Sequence, residues 1–68
     1  MRDVNRIEPF LNEFGELWKN NFPDWRFGQL INNFLVWLHS SKSRDCFFPE
    51  EDAMINYFKE YCEDMTNG

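Results

Sequence analysis

Residues 34–38 read FLVWL, an uninterrupted apolar run in the middle of a chain of 68 residues. Successive residues of an α-helix are about 100° apart, so five apolar residues in a row surround the whole helix. A helix on the outside of a small domain needs only one apolar stripe. The run therefore predicts a central helix that needs more cover than its two neighbouring helices supply.

Three segments have the apolar spacing of an amphipathic helix. Proline followed by aspartate at 23–24 separates the first two, and Pro49 followed by three acids is typical of the start of the third. We expect a single all-α domain over 1–68, with three helices at about 5–20, 24–39 and 49–63. The polar residues 39–45 predict a flexible loop, and residues 66–68 a frayed tail.

The second helix has two apolar faces. Its inner face is predicted to consist of Phe27, Leu30, Ile31, Phe34 and Leu38, with Trp37 at its margin. Beside that face lies Gly28, where the missing side chain would let another helix come close. A second stripe on the far side consists of Trp25, Gln29, Asn32 and Val36. This outer stripe is unexpected for a helix that faces solvent on one side.

The composition compensates for the small size of the chain. Domains this short bury only about 60% of their unfolded surface. Eight Phe, three Trp and two Tyr raise the apolar area available to a core, since each buried ring removes on the order of 150–250 Å² from water. A folded domain is therefore expected rather than a disordered chain.

The charge of the chain limits its partners. Twelve acidic residues against seven basic ones give a net charge of −5, which disfavours direct binding to nucleic acid. No secretory signal and no membrane-spanning run is present in the sequence, which predicts a cytoplasmic protein. Cys46 and Cys62 would lie far apart if a helix separates them, and we expect both thiols to be reduced.

No catalytic, metal-binding or cofactor-binding motif accompanies these features. His39 is the only histidine and follows the apolar run, where a charged imidazole suits a helix carboxyl end. Two cysteines and one histidine without paired spacing fall short of a zinc site. The acids at 50–52 lack the alternating ligands and the glycine of a calcium loop. We therefore expect no enzyme activity, no cofactor and no metal.

Several short motifs resemble a known group of proteins. These are PDWRFGQLI at 23–31, RD at 2–3, RI at 6–7, LW at 17–18 and FPEED at 48–52. Together they resemble a group of short uncharacterised bacterial and phage proteins, and more loosely the YihD-like domain of unknown function. The resemblance implies a small soluble helical protein without an assigned activity. Val4 and Trp25 depart from that pattern, as does a longer serine-rich loop, which makes Trp25 a candidate for a role specific to this chain.

The outer stripe predicts a protein–protein interaction module. Tryptophan is enriched among residues that dominate binding energies, and an apolar patch flanked by amides is typical of an interface. The expected contact residues are Trp25, Gln29, Asn32, Val36, Trp37 and Phe47. Homodimerisation through a symmetric contact of helix 2 is the simplest form of this hypothesis.

Two alternatives remain open at this point. The segment at 47–48 could fold over helix 2 and bury the outer stripe within the monomer. The chain could also be an acidic inhibitor, phage-encoded, of a host enzyme or defence system. The contacts of such an inhibitor would be Glu50, Glu51, Asp52, Glu60, Glu63 and Asp64.

Overall fold

The structure is a computed structural model that describes residues 2–67. Within this range the chain forms a short 3₁₀ helix, Val4–Arg6, and three α-helices: α1 (Ile7–Asn21), α2 (Phe27–Lys42) and α3 (Glu51–Asn67). The prediction of a small all-α domain with three helices is confirmed.

The amino-terminal part of the chain enters α1 through the 3₁₀ helix. The Asp3 carboxylate accepts a hydrogen bond from the backbone N–H of Asn5 at 3.0 Å and thereby caps the turn. Pro9 occupies the third position of α1. Because the N–H groups of a first helical turn have no intrahelical acceptor, the missing donor of proline costs nothing there.

The second helix begins at Phe27, three residues later than predicted. Residues 22–25 instead form a turn, in which the Trp25 N–H donates to the Phe22 carbonyl at 3.1 Å. Asp24 lies outside the helix and does not serve as its cap. Gln29 takes that role, because its side-chain oxygen accepts from the backbone N–H of Arg26 at 2.8 Å.

The expected flexible loop at 39–45 is wrong for its first four residues, which continue α2 to Lys42. Polar composition alone does not end a helix, and this segment contains neither glycine nor proline. The helix ends where Ser43 adopts the left-handed conformation (φ 55°) and its N–H donates back to the His39 carbonyl. Thr66 and Asn67, predicted to fray, belong to α3, while Gly68 lies outside the described residues.

Aromatic rings on α3 form the centre of the core. Phe58 is fully buried and lies 4.6 Å from Phe14 of α1 and 5.0 Å from Phe34 of α2, measured between ring centroids. Tyr61, one turn further, lies 5.4 Å from Trp37 and 5.6 Å from Phe22. α3 therefore contacts both other helices through the same row of rings.

Ion pairs reinforce α3 on both sides. Lys59 and Glu13 join α3 to α1 at 2.6 Å, and Lys42 and Glu60 join α2 to α3 at 2.8 Å. No residue of α1 is buried, and α1 packs against α3 far more closely than against α2. The domain is thus built around α3, and the α1–α2 side is left open.

A pair of leucine substitutions tests this division. Leu30 of α2 is fully buried, whereas Leu11 of α1 is 55% exposed. We expect Leu30→Ala to lower the free energy of unfolding by about 2–5 kcal/mol, because it removes packed methyl groups and leaves a cavity. Leu11→Ala, the matched control, is expected to cost less than about 1 kcal/mol. Urea unfolding measures both values, and equal losses would contradict the packing described.

Candidate interaction surface

An apolar groove lies between α1 and α2. Its lining residues are Phe10, Leu11, Phe14, Phe27, Ile31, Phe34, Leu35, Cys46 and, from α3, Met54. None of them carries a charge, although 28% of the chain is charged. The groove is therefore an uncharged depression in the surface.

Both walls of the groove reach solvent. Leu11 on α1 is 55% exposed and Phe27 on α2 is 58% exposed, while Ile31 and Leu35 are half-buried. The i, i+4 spacing of Phe27, Ile31 and Leu35 aligns them along one side of α2. Phe27 was predicted on the inner face of α2, and its exposure shows that this prediction is wrong.

The apolar surface continues from the groove over the outer side of α2. Val36 extends it there, and Gly28, Asn32 and His39 line the same shallow depression. A Cβ atom added at Gly28 would meet nothing within 4 Å, so no helix of this chain approaches it. The close approach predicted at Gly28 is therefore absent within the described residues. Val36 is 56% exposed, as the outer stripe requires.

Most of the contact residues predicted from the sequence have a different place in the structure. Trp25 precedes α2 and is half-buried, with its ring 4.5 Å from that of Phe22. Trp37 is buried, which agrees with its predicted place at the margin of the inner face, and its Nε1 donates to the Asp64 carboxylate at 3.0 Å. The oxygen of Gln29 is engaged in capping α2. Of the predicted outer stripe, only Asn32 and Val36 are exposed on α2 without such a role, because Trp25 lies outside the helix.

The segment at 47–48 does not cover α2. Phe47 is 87% exposed and Phe48 is 82% exposed, so neither ring packs on the domain. Asp45 determines their placement, since its Oδ1 accepts from the N–H of Phe47 at 2.9 Å and from that of Phe48 at 3.2 Å. The alternative in which these rings bury the outer stripe is therefore wrong.

Four of the six acidic side chains predicted as inhibitor contacts have side-chain partners within the chain. Glu50 accepts from the Arg2 guanidinium at 2.9 and 3.0 Å, and this hydrogen bond lowers the pKa of the Glu50 carboxyl. Arg6 pairs with Glu51 at 2.6 Å. Glu60 and Asp64 are engaged by α2, through Lys42 and Trp37. Asp52 and Glu63 are exposed, so the acidic face offers less free charge than its sequence predicts.

The two cysteines have opposite surroundings. Cys62 is buried in the core, and burial raises the pKa of its thiol to about 11. Cys46 is exposed at the edge of the groove. His39 lies in the last turn of α2, and no three metal-ligating side chains come together within residues 2–67.

Thiol chemistry tests the placement of these cysteines. Because the thiolate is the reactive form, we expect iodoacetamide at pH 8 to modify Cys46 in the folded protein and to leave Cys62 unmodified. Mass spectrometry of the peptides identifies the modified residue, and urea-unfolded protein is the control in which both react. Equal rates in the folded protein would contradict the burial of Cys62.

The same thiol affects stability at alkaline pH. With its pKa higher in the folded state than in the unfolded state, Cys62 stabilises the fold below the pKa of the unfolded thiol, about 9. That contribution is expected to disappear as pH rises from about 9 to 11. Urea unfolding of wild type and of Cys62→Ala across this range measures the difference, which should shrink with pH. A constant difference would contradict the prediction.

Comparison with known proteins identifies neither the family of the chain nor a partner for this surface. No family model, curated protein or solved structure matches the chain. The resemblance to short bacterial and phage proteins stays a prediction. In the described part of the chain, no helix combines the length and the apolarity that crossing a membrane requires.

Sequence reasoning missed the α1 wall of the groove. Ile7, Phe10 and Leu11 have the apolar spacing of the first amphipathic helix, whereas Ile7 is 42% exposed and Leu11 55% exposed. The width of this stripe does not reveal the exposure. Residues 7, 10 and 11 span roughly 100° at the start of α1, the ordinary width of an apolar stripe that faces a core.

Proposed function

We propose that this chain is a protein–protein interaction module that binds its partner through the groove between α1 and α2. The observation that supports this is the uncharged patch in which Leu11 and Phe27 are exposed and Ile31 and Leu35 half-buried. Large apolar patches on folded domains are typical of interaction sites, and a groove between two helices is a common receptor for apolar side chains.

The contact residues proposed here differ from those expected from the sequence. Phe27 and Leu11 replace Trp25 and Trp37 as the central contacts, and Asn32 and Val36 remain at the margin. Aromatic rings in a shallow depression bury much area at little cost in conformational entropy. The groove thus supports a binding role without any catalytic residue in it.

The two free thiols favour the cytoplasm as the place of action. Free cysteines persist in reducing compartments, and Cys46 is exposed. We put the cytoplasmic location forward as part of the same proposal.

The acidic inhibitor has less support from the contacts. Four of its six expected residues, Glu50, Glu51, Glu60 and Asp64, already bind side chains of this chain. A basic partner would have to replace those bonds. Binding by this route would weaken steeply with salt, whereas binding through the groove would not.

A charge placed in the groove tests the proposal. We expect Leu11→Glu to abolish partner binding, because a carboxylate there would lose its hydration when the groove is covered. The folded state should persist, since Leu11 is 55% exposed. Affinity capture from the source cell, self-association included, measures binding, and circular dichroism checks the fold.

The matched control is Met65→Glu. Met65 is 50% exposed near the end of α3, outside the groove, and its substitution should leave binding unchanged. Loss of binding in both variants, or in neither, would contradict the groove as the contact surface.

A further inference from the structure

We infer that the occupant of the groove is the Phe47–Phe48 segment of a second copy of this chain, in a symmetric dimer. This inference rests on the proposed function and deepens it. The chain itself has both surfaces of this contact. One is the apolar groove, and the other is the aromatic protrusion formed by Phe47 and Phe48.

The protrusion is uncharged, and its backbone is hydrogen-bonded. Phe47 and Phe48 are the most exposed large apolar side chains of residues 2–67. The Asp45 carboxylate accepts hydrogen bonds from both backbone N–H groups, which holds the turn while leaving the rings in solvent. Pro49 follows and restricts the backbone further. A pre-formed protrusion of this kind loses little conformational entropy on binding.

The protrusion and the groove adjoin each other. Cys46 lines the groove, and Phe47 is the next residue. In a two-fold dimer, each copy uses the same surface, so a contact from protrusion to groove occurs twice. Proximity of the two features allows both contacts to form side by side near one axis. Both grooves are therefore occupied in the dimer, and none is left for a third copy.

The area available fits a stable dimer. A phenylalanine ring contributes on the order of 150–250 Å². Two such rings from each copy give roughly 600–1,000 Å². Specific protein interfaces bury about 1,200–2,000 Å². The contact reaches that range when the exposed walls of the groove around it, with Leu11 and Phe27, are covered as well.

The charge distribution permits this contact. Two copies of net charge −5 repel each other at long range. Residues 46–49 and the groove lining carry no formal charge, so the contact buries none. Salt screens the long-range repulsion, and the dimer should therefore become tighter as the salt concentration rises.

Sedimentation velocity over a range of protein concentrations tests the inference. We expect a monomer–dimer equilibrium for wild type. Phe47→Ser/Phe48→Ser and Leu11→Glu should each raise the dissociation constant at least about thirtyfold, as for residues that dominate an interface. Val4→Ser and Met65→Ser remove exposed apolar side chains elsewhere and should leave the constant unchanged.

A mixture of the two deficient variants identifies the contact. The Leu11→Glu protein keeps its protrusion, and the Phe47→Ser/Phe48→Ser protein keeps its groove. Their heterodimer retains one intact contact, whereas each variant alone retains none. We expect the mixture to associate at concentrations where neither variant does, with circular dichroism confirming that both are folded.

Three results would overturn the inference. A wild type that stays monomeric at all concentrations excludes the dimer. A dimer that survives Phe47→Ser/Phe48→Ser, or a mixture without association, excludes this contact. If the chain is monomeric and yet captures another protein in a Leu11-dependent way, the second copy is wrong and the proposed function stands. If Leu11→Glu alters neither self-association nor capture, both fail.

Discussion

The packing of the aromatic rings of α3 against those of α1 and α2 is the interaction on which the rest of the structure depends. Phe58 contacts rings of both other helices, and Tyr61 continues the row toward Trp37 and Phe22. A chain of 68 residues has few large side chains to place in a core, and aromatic rings bury the most area per residue. Substituting Phe58 would therefore disrupt the contacts of α1 and α2 together.

This arrangement leaves the groove open. Both α1 and α2 pack mainly on α3, and apolar residues between α1 and α2 remain exposed. Exposing Leu11 and Phe27 to water is unfavourable in the isolated chain, and covering them with a partner would be favourable. The open groove of the monomer is therefore the feature on which the proposed binding role rests.

Sequence reasoning gave the helices but not their relative placement. Apolar spacing located α1, α2 and α3 to within a few residues, and the surplus of apolar side chains around α2 indicated an uncovered surface. Which residues form that surface depends on how α1 and α2 pack against α3. The apolar spacing along a single helix does not determine this packing. Trp25 was placed wrongly for a local reason, because a turn brings it onto Phe22. Trp37 is buried, as its predicted place at the margin of the inner face implies, and its bond to Asp64 removes it from the predicted contact residues.

Solvent exposure of methyl groups tests the central claim that α3 holds the two helices while the groove stays open. A soluble paramagnetic agent broadens the NMR signals of exposed methyls, and Phe47→Ser/Phe48→Ser is the protein to use, because self-association cannot then cover the groove. We predict strong broadening for Leu11 and Val36, and none for Leu30 and Leu38. A Leu11 signal as protected as that of Leu30 would contradict the account, since it would mean that α1 closes on α2.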